Sequence, residues 1–222
     1  MTKANPTAPE IPEEVVVCPN CQKPLALCMC EGLVPMANKV GVLILQHPKE
    51  QDVDLGTARL TALYLKNAVM KVGLSWPNLA KALGRDADPK KWAVLYLGSA
   101  SAATEAPGQD VVLVDKKGKA LSDQQSMLRG IEGIIVLDGT WSQAKAIWWR
   151  NAWLLKCRRI ILGPKRPSRY GKLRKEPRKD GLATIEAVGL LLGKLENKPE
   201  LESTLSAGFE RLLSKYRILH AG

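Results

Sequence analysis

Two clusters of residues in this 222-residue chain have the types and spacing to do chemistry. The first is Asp138-Gly139-Thr140-Trp141, which closes the apolar run Gly133-Ile134-Ile135-Val136-Leu137. The run reads as a buried strand. Ser142 to Cys157 behind it reads as a helix, with apolar residues at Ala144, Ile147, Trp148, Ala152 and Leu155. Asp138 therefore falls at the carboxyl end of a strand, where ligands sit in open α/β sheets. Two readings of it stay open. Asp138 or Thr140 could cap the helix, since short oxygen-bearing side chains satisfy the orphan N–H groups of a first turn. Alternatively Asp138 does chemistry beside Trp141, a large ring that one cap does not account for.

The second cluster is Cys18, Cys21, Cys28 and Cys30, spaced C-x2-C-x6-C-x-C. A lone C-x2-C is ambiguous with a redox motif. Four thiols within one short stretch point instead to a tetrahedral zinc site. With no open coordination position, such a zinc supports a small lobe and does no chemistry. Cys157 lies far off and reads as a packed helix residue.

The charge is concentrated. Lys156 to Lys179 holds eleven Lys and Arg against one acid, Glu176, and so nearly all of the formal +11. Such a block marks a polyanion surface, with nucleic acid the common polyanion. A merely solvated loop would more often mix signs.

The elements that position these groups can be read in order. Residues 1–14 are Pro-rich and aperiodic and read as a disordered tail. Residues 15–36 form the four-cysteine lobe, and 37–222 one α/β domain. Strands are expected at Val40–Gln46, Trp92–Leu97, Val111–Asp115, Gly133–Leu137 and Arg159–Leu162. Helices are expected from Gly56 to about Lys71 with Thr57 as a possible cap, over Leu121–Arg129 in part, from Thr184 through Leu195, and over about Ser203–Ile218. Strands alternating with helices argue for a mostly parallel sheet covered on both faces. His47 falls at the end of the first strand, as a surface or capping residue or as part of a ligand site. The glycines match neither the dinucleotide fingerprint nor the phosphate-binding loop. No apolar run is long enough to span a membrane, and the N-terminus lacks a secretory signal, so the cytoplasm is the expected compartment. Nothing in the sequence calls for an obligatory protein partner.

Leu137-Asp138-Gly139-Thr140-Trp141 resembles the D-x-T-W signature of the DTW-domain family. The four-cysteine cluster, Gln46-His47-Pro48, Thr57-Ala58-Arg59-Leu60 and Thr184-Ile185-Glu186-Ala187 fall where that family's other landmarks do. The resemblance covers about residues 15–218. It implies a tRNA-uridine aminocarboxypropyltransferase, which moves the 3-amino-3-carboxypropyl group of S-adenosylmethionine onto N3 of a tRNA uridine and releases methylthioadenosine. It also implies a SPOUT-like fold with a C-terminal knot, which periodicity alone does not reveal.

On that basis Asp138 is expected to take the N3 proton, and Trp141 to offer a face to the uracil ring or the sulfonium-bearing chain. Gln46, His47, Leu97, Gly98, Leu137, Gly139, Thr140 and Thr184 are expected around the cofactor. Glu186 either orders that loop or caps its helix. Lys165, Arg166, Arg169, Lys172, Arg174, Lys175, Arg178 and Lys179 are expected to hold the tRNA backbone, with Lys145 and Arg150 extending the surface towards the site. Two rivals differ in their by-product. A methyltransferase using the same cofactor would release S-adenosylhomocysteine, and an RNA-binding zinc protein would release nothing.

Overall fold

Six consecutive buried residues, Gly41–Gln46, form strand β1 of the computed structural model, and the sheet is assembled around them. The structure describes residues 16–51, 53–95, 110–163, 167–171, 173 and 181–221. The expected tail, together with Leu97, Gly98, Lys165, Arg166, Lys172, Arg174, Lys175, Arg178 and Lys179, lies outside the described residues.

Among the described residues the sheet has six strands: β1, β2 (Ala68–Val72), β3 (Trp92–Leu95), β4 (Val111–Val114), β5 (Gly133–Asp138) and β6 (Arg158–Leu162). Their order is β2-β1-β5-β3-β6-β4. All neighbours are parallel except β4, which runs antiparallel to β6 at one edge. The apolar β1 and β5 lie side by side in the interior, as parallel strands buried on both faces do.

The two faces are packed by different sets of helices. Val42, Ile44, Ile134 and Val136 point to one side and join α1 (Ala58–Leu63), α5 (Thr184–Leu195) and α6 (Pro199–Leu219). Leu43, Leu45, Ile135 and Leu137 point to the other, against α2 (Leu79–Leu83) and α4 (Trp141–Arg150). Alternation along a strand sends successive side chains to opposite layers. A short helix α3 (Gln124–Arg129) precedes β5. The Trp92 ring lies across the start of the central strands. A Cβ on Gly133 would sit 2.5 Å from it, so only glycine fits there.

Two expected helices are shorter in the structure, and in both cases an asparagine is responsible. The helix expected to run to Lys71 stops at Leu63, and Ala68–Val72 is a strand. Asn38 captures the turn between them: its Oδ1 accepts from the Asn67 amide (2.9 Å) and its Nδ2 donates to the Asn67 carbonyl (3.2 Å). Thr57 does not cap α1 with its side chain; its hydroxyl accepts instead from the Ile185 amide, 3.3 Å away. The helix expected over 142–157 breaks at Asn151, and a 3-10 turn, Ala152–Lys156, follows. Buried Asn151 donates to the carbonyls of Leu74 (2.9 Å) and Ile147 (2.7 Å) and accepts from Trp76 N (2.8 Å). These bonds satisfy its amide where the helix ends.

The cysteine-rich segment is attached to the main body. Leu27 and Met29 belong to the same core cluster as Val42 and Phe209. Lys215 donates to the Cys28 carbonyl (2.7 Å) and Arg211 to that of Glu31 (3.0 Å), both from α6. Buried Lys23 reaches the carbonyls of Asp54 (2.5 Å) and Gly56 (2.8 Å). Burial brings its ammonium down to about 8, against the pull of nearby Cys21 and Asp54. No helix among the described residues is long and apolar enough to cross a membrane.

Candidate active site and metal centre

Gln46 and Asp138 pair in register at the carboxyl ends of β1 and β5. Gln46 Nε2 donates to Asp138 Oδ2 at 2.9 Å, and the Thr184 hydroxyl, at the first residue of α5, donates to Asp138 Oδ1. The backbone is tied as well, with the His47 amide donating to the Asp138 carbonyl at 2.9 Å. Three elements thus converge on one half-buried carboxylate. Each of its oxygens accepts one bond and keeps a further lone pair for a proton donor.

The turn beyond Asp138 is built to leave that carboxylate free of helix capping. Thr140 caps α4, its Oγ1 accepting from Gln143 N (3.4 Å), while Gln143 Oε1 accepts from Thr140 N (2.6 Å). This is a capping box. Gly139 has φ 151°, and a Cβ there would lie 2.9 Å from Gln143 Oε1 and 3.3 Å from His47 Cβ. Trp141 then opens α4 three residues beyond Asp138, 37% exposed, with Lys145 Nζ 5.9 Å from its ring centre.

The four cysteines form a second centre. Their sulfurs all lie within 4.8 Å of one another, with Cys18–Cys30 at 3.7 Å and Cys21–Cys28 at 3.8 Å. Four thiolates about 2.3 Å from a tetrahedral zinc stand about 3.8 Å apart, so the donor set fits that ion. Gln22, at φ 54°, turns the chain back on Cys18, its amide donating to the Cys18 carbonyl (2.8 Å) and the Cys18 amide to the Lys23 carbonyl (2.8 Å). Hydrogen bonds from the backbone of Cys21 and Asn20 hold the Cys18 thiol down to about 6, the form a metal takes. Burial, with the neighbouring thiols, pushes Cys30 up to about 12. Cys157 is separate and buried, and burial pushes its thiol up to about 12.

Residues 15–217 match the DTW domain. The chain belongs to the DTW-domain family. It is 30% identical over 194 residues to tRNA-uridine aminocarboxypropyltransferase 2 of Drosophila melanogaster, covering 85% of this chain and 70% of that protein. The protein of the same name from Macaca fascicularis is 27% identical over 207 residues, covering 89% of this chain and 62% of the relative. The chain spans the same 62% of the mouse protein of that name, at 26% identity over 202 residues. No solved structure matches significantly.

Within this DTW domain the residues expected at the site divide into groups. Gln46, Asp138, Gly139, Thr140, Trp141 and Thr184 gather at the strand ends. His47 joins them through its backbone, while its Nδ1 accepts from Lys49 N (3.2 Å) and so caps the next turn. Leu137 is a core residue. Glu186 is buried at the start of α5. Its carboxylate accepts from Ser168 Oγ (2.5 Å) and Arg169 N (2.9 Å), ordering that turn, and from Ala183 N (3.0 Å) at the start of α5. The Arg169 side chain bonds Glu186 (3.5 Å) and Glu210 (2.9 Å), while Lys145 and Arg150 are exposed on α4. Sequence reasoning missed Gln143 and Ser168. The first had a local signal, Thr140-x-x-Gln143; the second had none.

Proposed function

We propose that this DTW domain transfers the 3-amino-3-carboxypropyl group of S-adenosylmethionine to N3 of a tRNA uridine, giving the acp3-modified base. The observation that carries the reading is the Asp138 carboxylate. It ends the central strand, is oriented by Gln46 and Thr184, and leaves helix capping to Thr140. The names of its relatives agree with aminocarboxypropyl transfer to tRNA.

The donor supplies an electrophilic carbon next to its sulfonium. Uridine N3 becomes a good nucleophile only as its proton leaves, and Asp138 accepts that proton through a free lone pair. The N3–C bond forms as the C–S bond breaks, and sulfur leaves as the thioether of methylthioadenosine. Gln46 and Thr184 keep the carboxylate aimed, so little of the alignment has to be found anew in each turnover. Trp141 gives the flat uracil a face, and His47, Leu137, Gly139, Thr140, Leu97 and Gly98 serve the binding of the donor. Glu186 steadies the start of α5, and with it Thr184, by fixing Ser168 and Ala183.

Lys145, Arg150, Arg169 and the rest of the basic block hold phosphates without reading bases. Cys18, Cys21, Cys28 and Cys30 hold a structural zinc that fastens the lobe to α6. A cytoplasmic location goes with this reading, since a reducing compartment keeps four thiols available to the metal. So does a SPOUT-like knot: the segment after β6, a strand two places from β5, returns to bring Thr184 onto Asp138 and the Tyr170 hydroxyl onto the Leu55 carbonyl (2.7 Å).

Incubation with S-adenosylmethionine and tRNA from cells lacking this protein tests the reaction. Methylthioadenosine and a mass gain on uridine are expected. S-adenosylhomocysteine would mean methyl transfer, and neither product a binding protein.

A further inference from the structure

Helix α4, which begins at the carboxylate site, carries a tryptophan that the core does not use. Trp149 is 79% exposed. Its neighbour Trp148 is turned inwards, packed against the core layer below α4, with the Arg159 guanidinium 5.4 Å from its ring centre. Trp141, Lys145 and Trp149 follow each other at intervals of four residues, which sets them along one side of the helix. At about 1.5 Å per residue, Trp149 stands roughly 12 Å along the helix axis from Trp141.

The surroundings of this ring select its partner. From Trp141 to Lys156 the chain carries Lys145, Arg150 and Lys156 and no acidic residue. A second copy of the chain would set like charge against like charge. A nucleic-acid base instead covers an indole with its own flat face and brings phosphates to the flanking cations. The surface is also continuous with the site where the uridine is read to enter. A gap of roughly 12 Å corresponds to three or four steps of about 3.4 Å in a stacked strand.

We infer that Trp149 is a stacking platform for an unpaired tRNA base a few nucleotides from the uridine held at Asp138, with Lys145 on the intervening phosphates and Arg150 on those beyond that base. The inference rests on the transferase reading for the position of that uridine. It assigns Trp149 to substrate binding and not to the chemical step.

The test compares wild type, Trp149→Ala and Trp149→Phe for binding to total tRNA from cells lacking this protein, over a range of salt. Trp149→Ala is expected to weaken binding by about 5- to 150-fold, which is roughly 1–3 kcal/mol of stacking per base at 1.4 kcal/mol per tenfold. The slope of log affinity against log salt stays unchanged because every cation that meets a phosphate is still in place. Trp149→Phe recovers most of the affinity, and all three proteins melt at the same temperature. Unchanged binding in Trp149→Ala, or a loss that Phe does not recover, overturns the inference. Methylthioadenosine release by wild type is read in parallel. Release without any binding loss in Trp149→Ala removes the platform alone. A ring-dependent binding loss without release keeps the platform and removes the transferase reading.

Discussion

Gln46 and Asp138, 92 residues apart in sequence, are register partners on adjacent parallel strands, and the Gln46 amide donates to the Asp138 carboxylate at 2.9 Å. The buried neutral amide orients the acceptor without adding charge. Gln46→Met removes that donor while filling similar space. A hydrogen bond to a charged group contributes about 1.5–3 kcal/mol. Single-turnover release of methylthioadenosine is therefore expected to slow by roughly 10- to 100-fold, with tRNA affinity unaltered.

The cysteines are separable by reactivity. Thiol labelling at pH 8 is expected to find no fast-reacting cysteine in the zinc-loaded protein. After chelation Cys18 becomes the fast-reacting thiol, because backbone hydrogen bonds hold it down to about 6. Cys157 stays slow, because burial holds its thiol at about 12 and keeps reagent out. Elemental analysis is expected to give one zinc per chain, absent from Cys18→Ser/Cys21→Ser. A fast-reacting Cys157, or a metal-free folded wild type, contradicts this assignment.

Gly139→Ala tests the turn that separates capping from chemistry. Its φ of 151° disfavours a side chain, and the new Cβ would press on Gln143 Oε1 at 2.9 Å. The capping box between Thr140 and Gln143 has to give way. A loss of about 1–3 kcal/mol in unfolding free energy is expected, as for overpacking, and denaturant titration measures it.

What was legible in the sequence was local. The apolar run ending at Asp138 announces a strand and its carboxyl end, and the cysteine spacing announces a cluster of four thiols that could hold a metal, because each pattern lies within a short stretch of chain. The β2 strand was missed because Ala62 to Lys66 continue the helix formers of α1. The clamp that redirects the chain is Asn38, 29 residues away in sequence. The break at Asn151 is likewise fixed by Leu74 and Trp76, more than seventy residues earlier. The choice between Asp138 and Thr140 as the cap was open by residue type alone. Gln143 decides it by closing the capping box with Thr140.

Neutralising Lys172, Arg174 and Lys175 together is expected to weaken tRNA binding broadly. Each phosphate that these cations no longer neutralise takes about 0.7–0.9 off the slope of log affinity against log salt. Filter binding across a salt series measures it, and an unchanged slope means that these residues do not touch the RNA backbone.

Asp138→Asn addresses the central claim most directly. Asn keeps the size of the side chain. Its oxygen can still accept from Gln46, and its amide can donate to the Thr184 hydroxyl, which rotates to accept. The fold and the bonds around the side chain are therefore retained while the proton acceptor is removed. The measurement is single-turnover release of methylthioadenosine from enzyme saturated with S-adenosylmethionine and bound tRNA, so that weakened binding does not pass for impaired chemistry. A fall of roughly 100- to 10,000-fold at an unchanged melting temperature is predicted. Turnover within about threefold of wild type would contradict the account, since it would leave general base catalysis no part in the reaction.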